Sequence, residues 1–334
     1  MKRKTIRNIL WIVAVAAVAV FRHVTVLADF YALHIYPVVS GALSFVAQVV
    51  PFSLEEIAVL AFVALLVYFI ARRRLVSILK LAAAVYIWFY VGWGLNYSRS
   101  GILERVGKKS EAYDREQFRE FLYSYSATLD SLYILSQTTD DYDLETGMKD
   151  FFSSVPTQYG LAQPRSWQHA KKPLLNWLYS GCAVLGFMGP FFCEFNINSD
   201  VLPEEIPSLM AHEYSHLLGV ASESEASWWA FQACNAQPCA AVRFSAYYSV
   251  LPYVCSNAMG LLDEDEYGAW VGTLDNGIID MYERSSAYWS EKYFVPLAKV
   301  QRFLQNLMLK SNGVHAGTRS YSQVVGLLMT LPQV

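Results

Sequence analysis

Charge is scarce in this chain: Asp, Glu, Lys and Arg make up 16% of the 334 residues, hydrophobic residues make up 54%, and the mean hydropathy is positive. Such a balance excludes a disordered or acidic solvating chain and points to a membrane protein. The net charge is -3 and no basic patch is interleaved with aromatics, so nucleic acid is not among the expected partners. The five cysteines show no zinc-ribbon spacing. Also missing are a glycine-rich phosphate loop, a nucleophile-elbow serine, internal repeats and low-complexity tracts, which removes nucleotide binding and serine hydrolysis from the reading.

What the chain has instead is long apolar runs near its start. Residues 9–27 are interrupted only by Arg22, His23 and Thr25 and follow Lys2, Arg3, Lys4 and Arg7. No small-residue cleavage site follows, so the run is expected to be a retained anchor. A second run, 54–71, opens with Ser53 and Glu56 in capping-box spacing, which keeps its acidic residues at the helix entrance. A third, 75–95, carries one Lys80 and ends in Trp88, Tyr90, Trp93 and Tyr97, an expected aromatic belt. The stretch 34–52 is apolar too. Pro37, Ser40, Gly41 and Gln48 make it an interfacial or re-entrant segment in this reading. Basic residues at the N-terminus and in Arg72-Arg73-Arg74 then put both clusters in the cytoplasm and everything after Tyr97 outside. The expected organisation is an anchor region, 1–97, in contact with the lipid bilayer, followed by one domain, 98–334.

Within that domain Phe118, Leu122, Tyr125, Leu129 and Leu132 repeat at helical spacing, predicting an amphipathic helix over 114–137. Residues 138–147 read as a loop. The acidic pairs at Asp140-Asp141 and within 263–266 read as turns rather than calcium sites, and a helix is expected over 293–309 with a break at Asn312-Gly313. Residues 183–187 and 191–198 read as two strands around Met188-Gly189-Pro190. The second strand is the candidate edge for holding a peptide, with Glu194 and Asn196 as possible substrate contacts. A hairpin pivoting between Phe187 and Met188 would set Cys182 opposite Cys193, and Cys234 and Cys239 flank a helix end. Both pairs are open to disulfide formation in an oxidising compartment.

The most specific pattern is His212-Glu213-Tyr214-Ser215-His216, an H-E-x-x-H sequence. On a helix the two imidazoles sit one turn apart on one face and can share a Zn²⁺ ion, with a carboxylate beside them to act as base. Pro203 and Pro207 suit a helix start, and Gly219 suits the left-handed residue after its end. A third ligand is expected just beyond, where Glu223 and Glu225 compete. Ser222 and Glu225 have capping-box spacing, which gives Glu225 a structural task and leaves Glu223 to face the metal. Ser227 lies one turn after Glu223, in reach of a ligand.

This run, from His212 to Cys234, resembles a bacterial membrane family catalogued as a domain of unknown function (DUF3810) and regarded as gluzincin-like metallopeptidases. The similarity extends to Trp93-Gly94-Leu95-Asn96-Tyr97, Pro51-Phe52-Ser53-Leu54 and Gly189-Pro190-Phe191-Phe192-Cys193-Glu194. Two residues depart from the family pattern: Ser227 stands where Asn is expected, and Cys193 where a small residue is expected. The resemblance implies a mainly helical membrane protein, with three N-terminal transmembrane helices and a zincin-like α+β metallopeptidase domain bearing a short edge-strand hairpin. It again selects Glu223 as third ligand.

The expected activity is hydrolysis of a peptide or protein substrate, with His212, His216 and Glu223 holding one Zn²⁺ and Glu213 as general base. Tyr321 and His315 are candidate oxyanion donors. The alternatives are a membrane scaffold or sensor with a vestigial metal site, and an intramembrane protease. The polar neighbours Glu204, Glu205 and 223–225 count against the second.

Overall fold

The computed structural model describes residues 3–109, 113–138, 141–314 and 323–334. Its first element, α1 (Arg3–His23), ends before Leu27 because Val24 adopts an extended backbone conformation. The chain then turns into α2 (Thr25–Phe30), a π-helical turn (Tyr31–Ile35) and α3 (Tyr36–Ala47), which run on as one helix. Pro37 lies inside this continuous helix directly after the π-helical turn, a local widening that accommodates a residue without an N–H. The stretch read as interfacial or re-entrant is therefore regular helix from Tyr36 to Ala47. Next come α4 (Leu54–Ala71) and α5 (Leu75–Gly92), joined at Arg72-Arg73-Arg74. Thr25–Ala47, Leu54–Ala71 and Leu75–Gly92 are long and apolar enough to cross a membrane, and Asn8–His23 is a shorter apolar helix. These apolar N-terminal helices suggest membrane association.

Their packing is uneven. Helix α1 lies along α5, with the Arg22 guanidinium 5.0 Å from the Tyr90 ring, so the C-terminal ends of the two helices are side by side. The α2–α3 helix is tied to the rest of the chain along its length. Asp29 accepts from the N–H and hydroxyl of Ser100, and the Tyr31 hydroxyl donates to Val91 O. Tyr36 donates to Leu217 O at 2.7 Å, and Gln48 donates to His169 O.

A 3₁₀ turn (Gly94–Ser98) and short α6 (Ile102–Arg105) lead into α7 (Arg115–Ser136), whose N-cap Asp114 forms a capping box with Gln117. All five residues of its predicted stripe are buried. Each such Leu or Phe contributes about 1.5–3 kcal/mol through burial. Helix α8 (Leu144–Ser154) begins inside the expected loop because Asp143 caps it, and Asp140 lies outside the described residues. After α9 (Asn176–Gly181) comes an antiparallel hairpin, β1 (Gly186–Gly189) and β2 (Glu194–Ile197). The helical core then follows: α10 (Ile206–Leu217), α11 (Glu223–Asn235), α12 (Ala240–Leu261), α13 (Glu264–Val271), α14 (Asn276–Lys292), α15 (Val295–Ser311) and α16 (Val324–Thr330). Helices α10, α11, α12 and α7 pack in succession around Trp228, Trp229 and Trp270, which are fully buried.

The hairpin register corrects two expectations. Gly186 pairs with Ile197 and Gly189 with Glu194, so Met188 and Gly189 belong to the first strand and the turn falls at 190–193. Cys182 and Cys193 are consequently not opposite each other, and all five cysteines are free, Cys234 and Cys239 included. Cys193 instead fills a buried position at φ +48°, with its thiol on Gly92 O.

Candidate metal centre

The H-E-x-x-H sequence lies on α10, which starts with Pro207 in its first turn and stops where Gly219 takes φ +99°. A residue with a Cβ resists that conformation, so glycine sets the point at which the chain reverses. The reversal is held from outside the helix. Trp93 donates to His216 O at 2.8 Å, Tyr36 to Leu217 O and Arg99 to Gly219 O, so side chains from elsewhere in the chain engage carbonyls of the helix end and of the turn after it. Trp93 and Tyr90 are therefore not belt residues facing lipid: both are buried.

Beyond the reversal, Ser222 caps α11 by accepting from the Glu225 N–H, as its spacing predicts. The Glu225 side chain does not return to the Ser222 backbone. It accepts from the Ile102 N–H at 2.9 Å and pairs with Arg105 at 2.9 Å, fastening α6 to the start of α11. Glu223, at the first helical position, points back at α10. His212 Nε2, His216 Nε2 and Glu223 Oε2 lie 3.1, 3.2 and 3.4 Å apart, so three donor atoms meet at one point.

The backing of the imidazoles fixes which nitrogens face inward. His216 Nδ1 donates to Val220 O at 2.6 Å, and Ser227 Oγ stands 3.4 Å from His212 Nδ1. With Nδ1 engaged behind, each Nε2 is turned toward the centre. The electrostatics of the cluster call for positive charge there. Burial works to lower the His216 pKa, but the Glu223 carboxylate, its hydrogen bond and the Glu213 charge overrule it and push the value up to about 9. Burial works to raise that of Glu223, yet His216 and His212 hold it well below the usual carboxylate range. A buried carboxylate so placed requires a proton or a cation between its neighbours. His212, His216 and Glu223 are the residues that could hold a metal ion.

Glu213 is buried beside this cluster, and its carboxyl pKa is raised, chiefly by burial. Its side chain lies against Gly186: a Cβ built there would stand 2.9 Å from Glu213 Cγ and 3.0 Å from Asn196 O. Strand β1 is the edge of the sheet, since β2 has Lys171 on its other side, and it is β1 rather than β2 that borders the site. A cleft of about 740 Å³ opens there, walled by Gly186, His212, Glu213, Ser227, Tyr253 and, across from them, α15.

Glu194 and Asn196 do not reach this cleft. Glu194 is fully buried and accepts from Ser53 Oγ, the Glu55 N–H and Lys171 Nζ, at 2.8, 2.8 and 2.7 Å. It ties β2 to the entrance of α4. Asn196 is fully buried opposite Phe187, with no hydrogen-bond partner for its side-chain amide among the described residues. The alternation of strand side chains explains both positions. Phe195 takes the face stacked on Tyr214 of α10, and that turns Glu194 and Asn196 the other way. Tyr321 and His315 lie outside the described residues. Sequence reasoning missed Tyr253, whose hydroxyl pKa is pushed up to about 12 by burial and by the Glu223 charge. Nothing in Pro252-Tyr253 signals a cleft residue, because α12 meets the site through tertiary packing alone.

Fold and site define a mainly helical protein with apolar N-terminal helices and a His-His-Glu cluster at the base of a cleft. The chain belongs to the family described as "Protein of unknown function (DUF3810)", whose model matches residues 31–329. No curated protein and no solved structure matches it.

Proposed function

We propose that this protein is a membrane-anchored zinc metallopeptidase of gluzincin-like type. The observation that carries the reading is the convergence of His212 Nε2, His216 Nε2 and Glu223 Oε2 beside an otherwise uncommitted Glu213. Donors 2.0–2.1 Å from a tetrahedral ion stand about 3.3 Å from one another, close to the spacings of this cluster, and two imidazoles with one carboxylate suit zinc while leaving a position open. Zinc bound there supplies a Lewis acid and lowers the pKa of water. The chain's own residues do the rest. Val220 O and Ser227 orient the imidazoles, and Glu213 takes a proton from water and delivers it to the departing amine. The edge of β1 offers backbone groups for pairing with an extended peptide above Glu213. Tyr253 keeps its proton at neutral pH and suits stabilisation of the developing oxyanion. A scaffold with a vestigial site has no use for the carboxylate of Glu213 facing a cleft.

The helices support a multi-pass topology. α1 and α5 end side by side, so α1 begins at the same end as Arg72-Arg73-Arg74, and the basic residues there favour the cytoplasm for that end. α1, α4 and α5 cross, while Thr25–Ala47, tied to the domain from Asp29 to Gln48, stays on the extracytoplasmic side with it.

The test uses purified full-length protein, with metal content measured and cleavage of a diverse peptide library followed by mass spectrometry. Wild type is expected to hold one zinc per chain and cleave. Glu213→Gln should retain the metal and lose turnover by about 10³-fold or more, within the range for a lost acid–base group. Cleavage that survives this change, or a wild-type chain without metal, would end the reading.

A further inference from the structure

Helix α15 is inside out. Its inward side carries Gln301 and Gln305 along with Ala298 and Leu309, while Val300, Phe303, Leu304 and Leu307 face outward, with exposures of 56, 66, 55 and 57%. A helix packed on a water-facing domain shows the reverse pattern, so this outer face calls for an apolar medium. Among the described residues nothing covers it. Lys299 and Lys310 are exposed beside the stripe, the arrangement of a helix that lies in a bilayer interface with its apolar face toward the acyl chains and cations at the phosphates, while Arg302 lies on the cleft side with Gln301 and Gln305.

Both ends of α15 are fixed near the apolar helices. At the C-terminal end Asn312 Oδ1 accepts from the Tyr90 hydroxyl, in the last turn of α5, at 2.7 Å. At the N-terminal end the Phe294 N–H donates to Gly181 O of α9, whose preceding residues Leu174 and Leu175 donate their N–H groups to Glu56 in the first turn of α4. Seventeen residues at 1.5 Å each span about 25 Å, so the helix runs from the entrance of α4 toward the exit of α5 at one level. Trp177 on α9 stands out at that level with 70% of its surface exposed, as interfacial tryptophans do. Val38, Phe45 and Val49, in and just after α3, are exposed apolar residues as well.

We propose that α15 is an interfacial anchor, seated with Val300, Phe303, Leu304 and Leu307 in the bilayer surface, which brings the cleft it walls to the membrane. The inference rests on α4 and α5 spanning the membrane and is independent of any hydrolytic chemistry. A second copy of the chain is a poorer occupant, because a two-fold contact along the stripe would bring Lys299 of one copy toward Lys310 of the other.

The test is spin labelling of the full-length protein in phosphatidylethanolamine–phosphatidylglycerol vesicles, with Cys182 and Cys255 replaced by Ser. Labels at Phe303→Cys and Leu307→Cys should be accessible to oxygen and shielded from a water-soluble nickel chelate. A label at Glu116→Cys, exposed on α7, should show the reverse, and one at Val63→Cys within α4 marks the lipid interior. Nickel accessibility at 303 and 307 equal to that at 116, with 63 still shielded, would overturn the inference alone. Nickel access at 63 as well would overturn the spanning reading with it. Dipolar broadening at 303 and 307 that vanishes on dilution with unlabelled protein would assign the stripe to a second copy and overturn it too.

Discussion

The two glycines of β1 each admit a glutamate, and the two glutamates meet opposite fates. At Gly189 an added Cβ would stand 2.7 Å from Glu55, and at Gly186 2.9 Å from Glu213. Glu55 is consumed by the fold: it accepts from the Phe191 N–H, and its neighbours Glu56 and Glu194 take N–H groups from Leu174, Leu175 and Glu55 itself, with Lys171 buried against Glu194. Glu213 takes no hydrogen bond from the described residues and opens onto the cleft. Burial of a carboxylate does not distinguish the two ends. Satisfaction does, because a buried charge whose lone pairs are filled is structural, and one held unsatisfied beside convergent imidazoles is a candidate for reaction.

The comparison breaks if carboxylates from the two ends behave alike when altered. The largest effect is expected for Glu223→Gln, which should abolish stoichiometric zinc, while Glu225→Gln retains it and loses thermal stability through Arg105 and Ile102. A metal assay showing equal losses would remove Glu223 as a ligand. Next, Lys171→Met leaves Glu194 charged and buried without its cation, so unfolding should be easier by about 3–5 kcal/mol, with zinc content per folded chain unchanged. Denaturant titration beside metal analysis checks this, and loss of metal from the folded fraction would dissolve the distinction between the two ends. Gly186→Ala sharpens it further: Glu213 must shift while the three donors stay, so turnover should fall roughly tenfold to a hundredfold, as catalysis responds to displacements of about 1 Å, with zinc retained. Unchanged turnover would separate Glu213 from the reaction. The smallest change is Ser227→Ala, which frees His212 Nδ1 and should weaken zinc binding by about tenfold in a competitive chelator titration. No shift there would mean that the 3.4 Å approach does not orient the imidazole.

Much of α10 and α11 was legible because it is written in local chemistry. Pro207, the i, i+4 histidines, Gly219 and the Ser222 cap all act within a turn of one another, and α7 was legible through its stripe for the same reason. The hairpin was less so: short strands lack a long period, and a turn at 190–193 rather than at 188–190 moved Cys182 away from Cys193. Among the apolar runs, periodicity marked helices but not their surroundings. The segment after Thr25 and the outer face of α15 look alike in composition to ordinary core helices until their neighbours are placed.

By itself, then, the order of residues determined the identities of the two imidazoles, their shared face, the carboxylate of Glu213 beside them and the Ser222 cap that opens the next helix with Glu223, since each depends on contacts no more than a few turns apart. Only tertiary structure decided that Trp93 and Tyr36 close the end of α10, that Glu194 is spent on Ser53 and Lys171, that Gly186 covers Glu213, and that Tyr253 enters the cleft. Those contacts join residues 23 to 181 positions apart, and the cost of closing such long loops is met by the packing of the whole domain rather than by any local pattern.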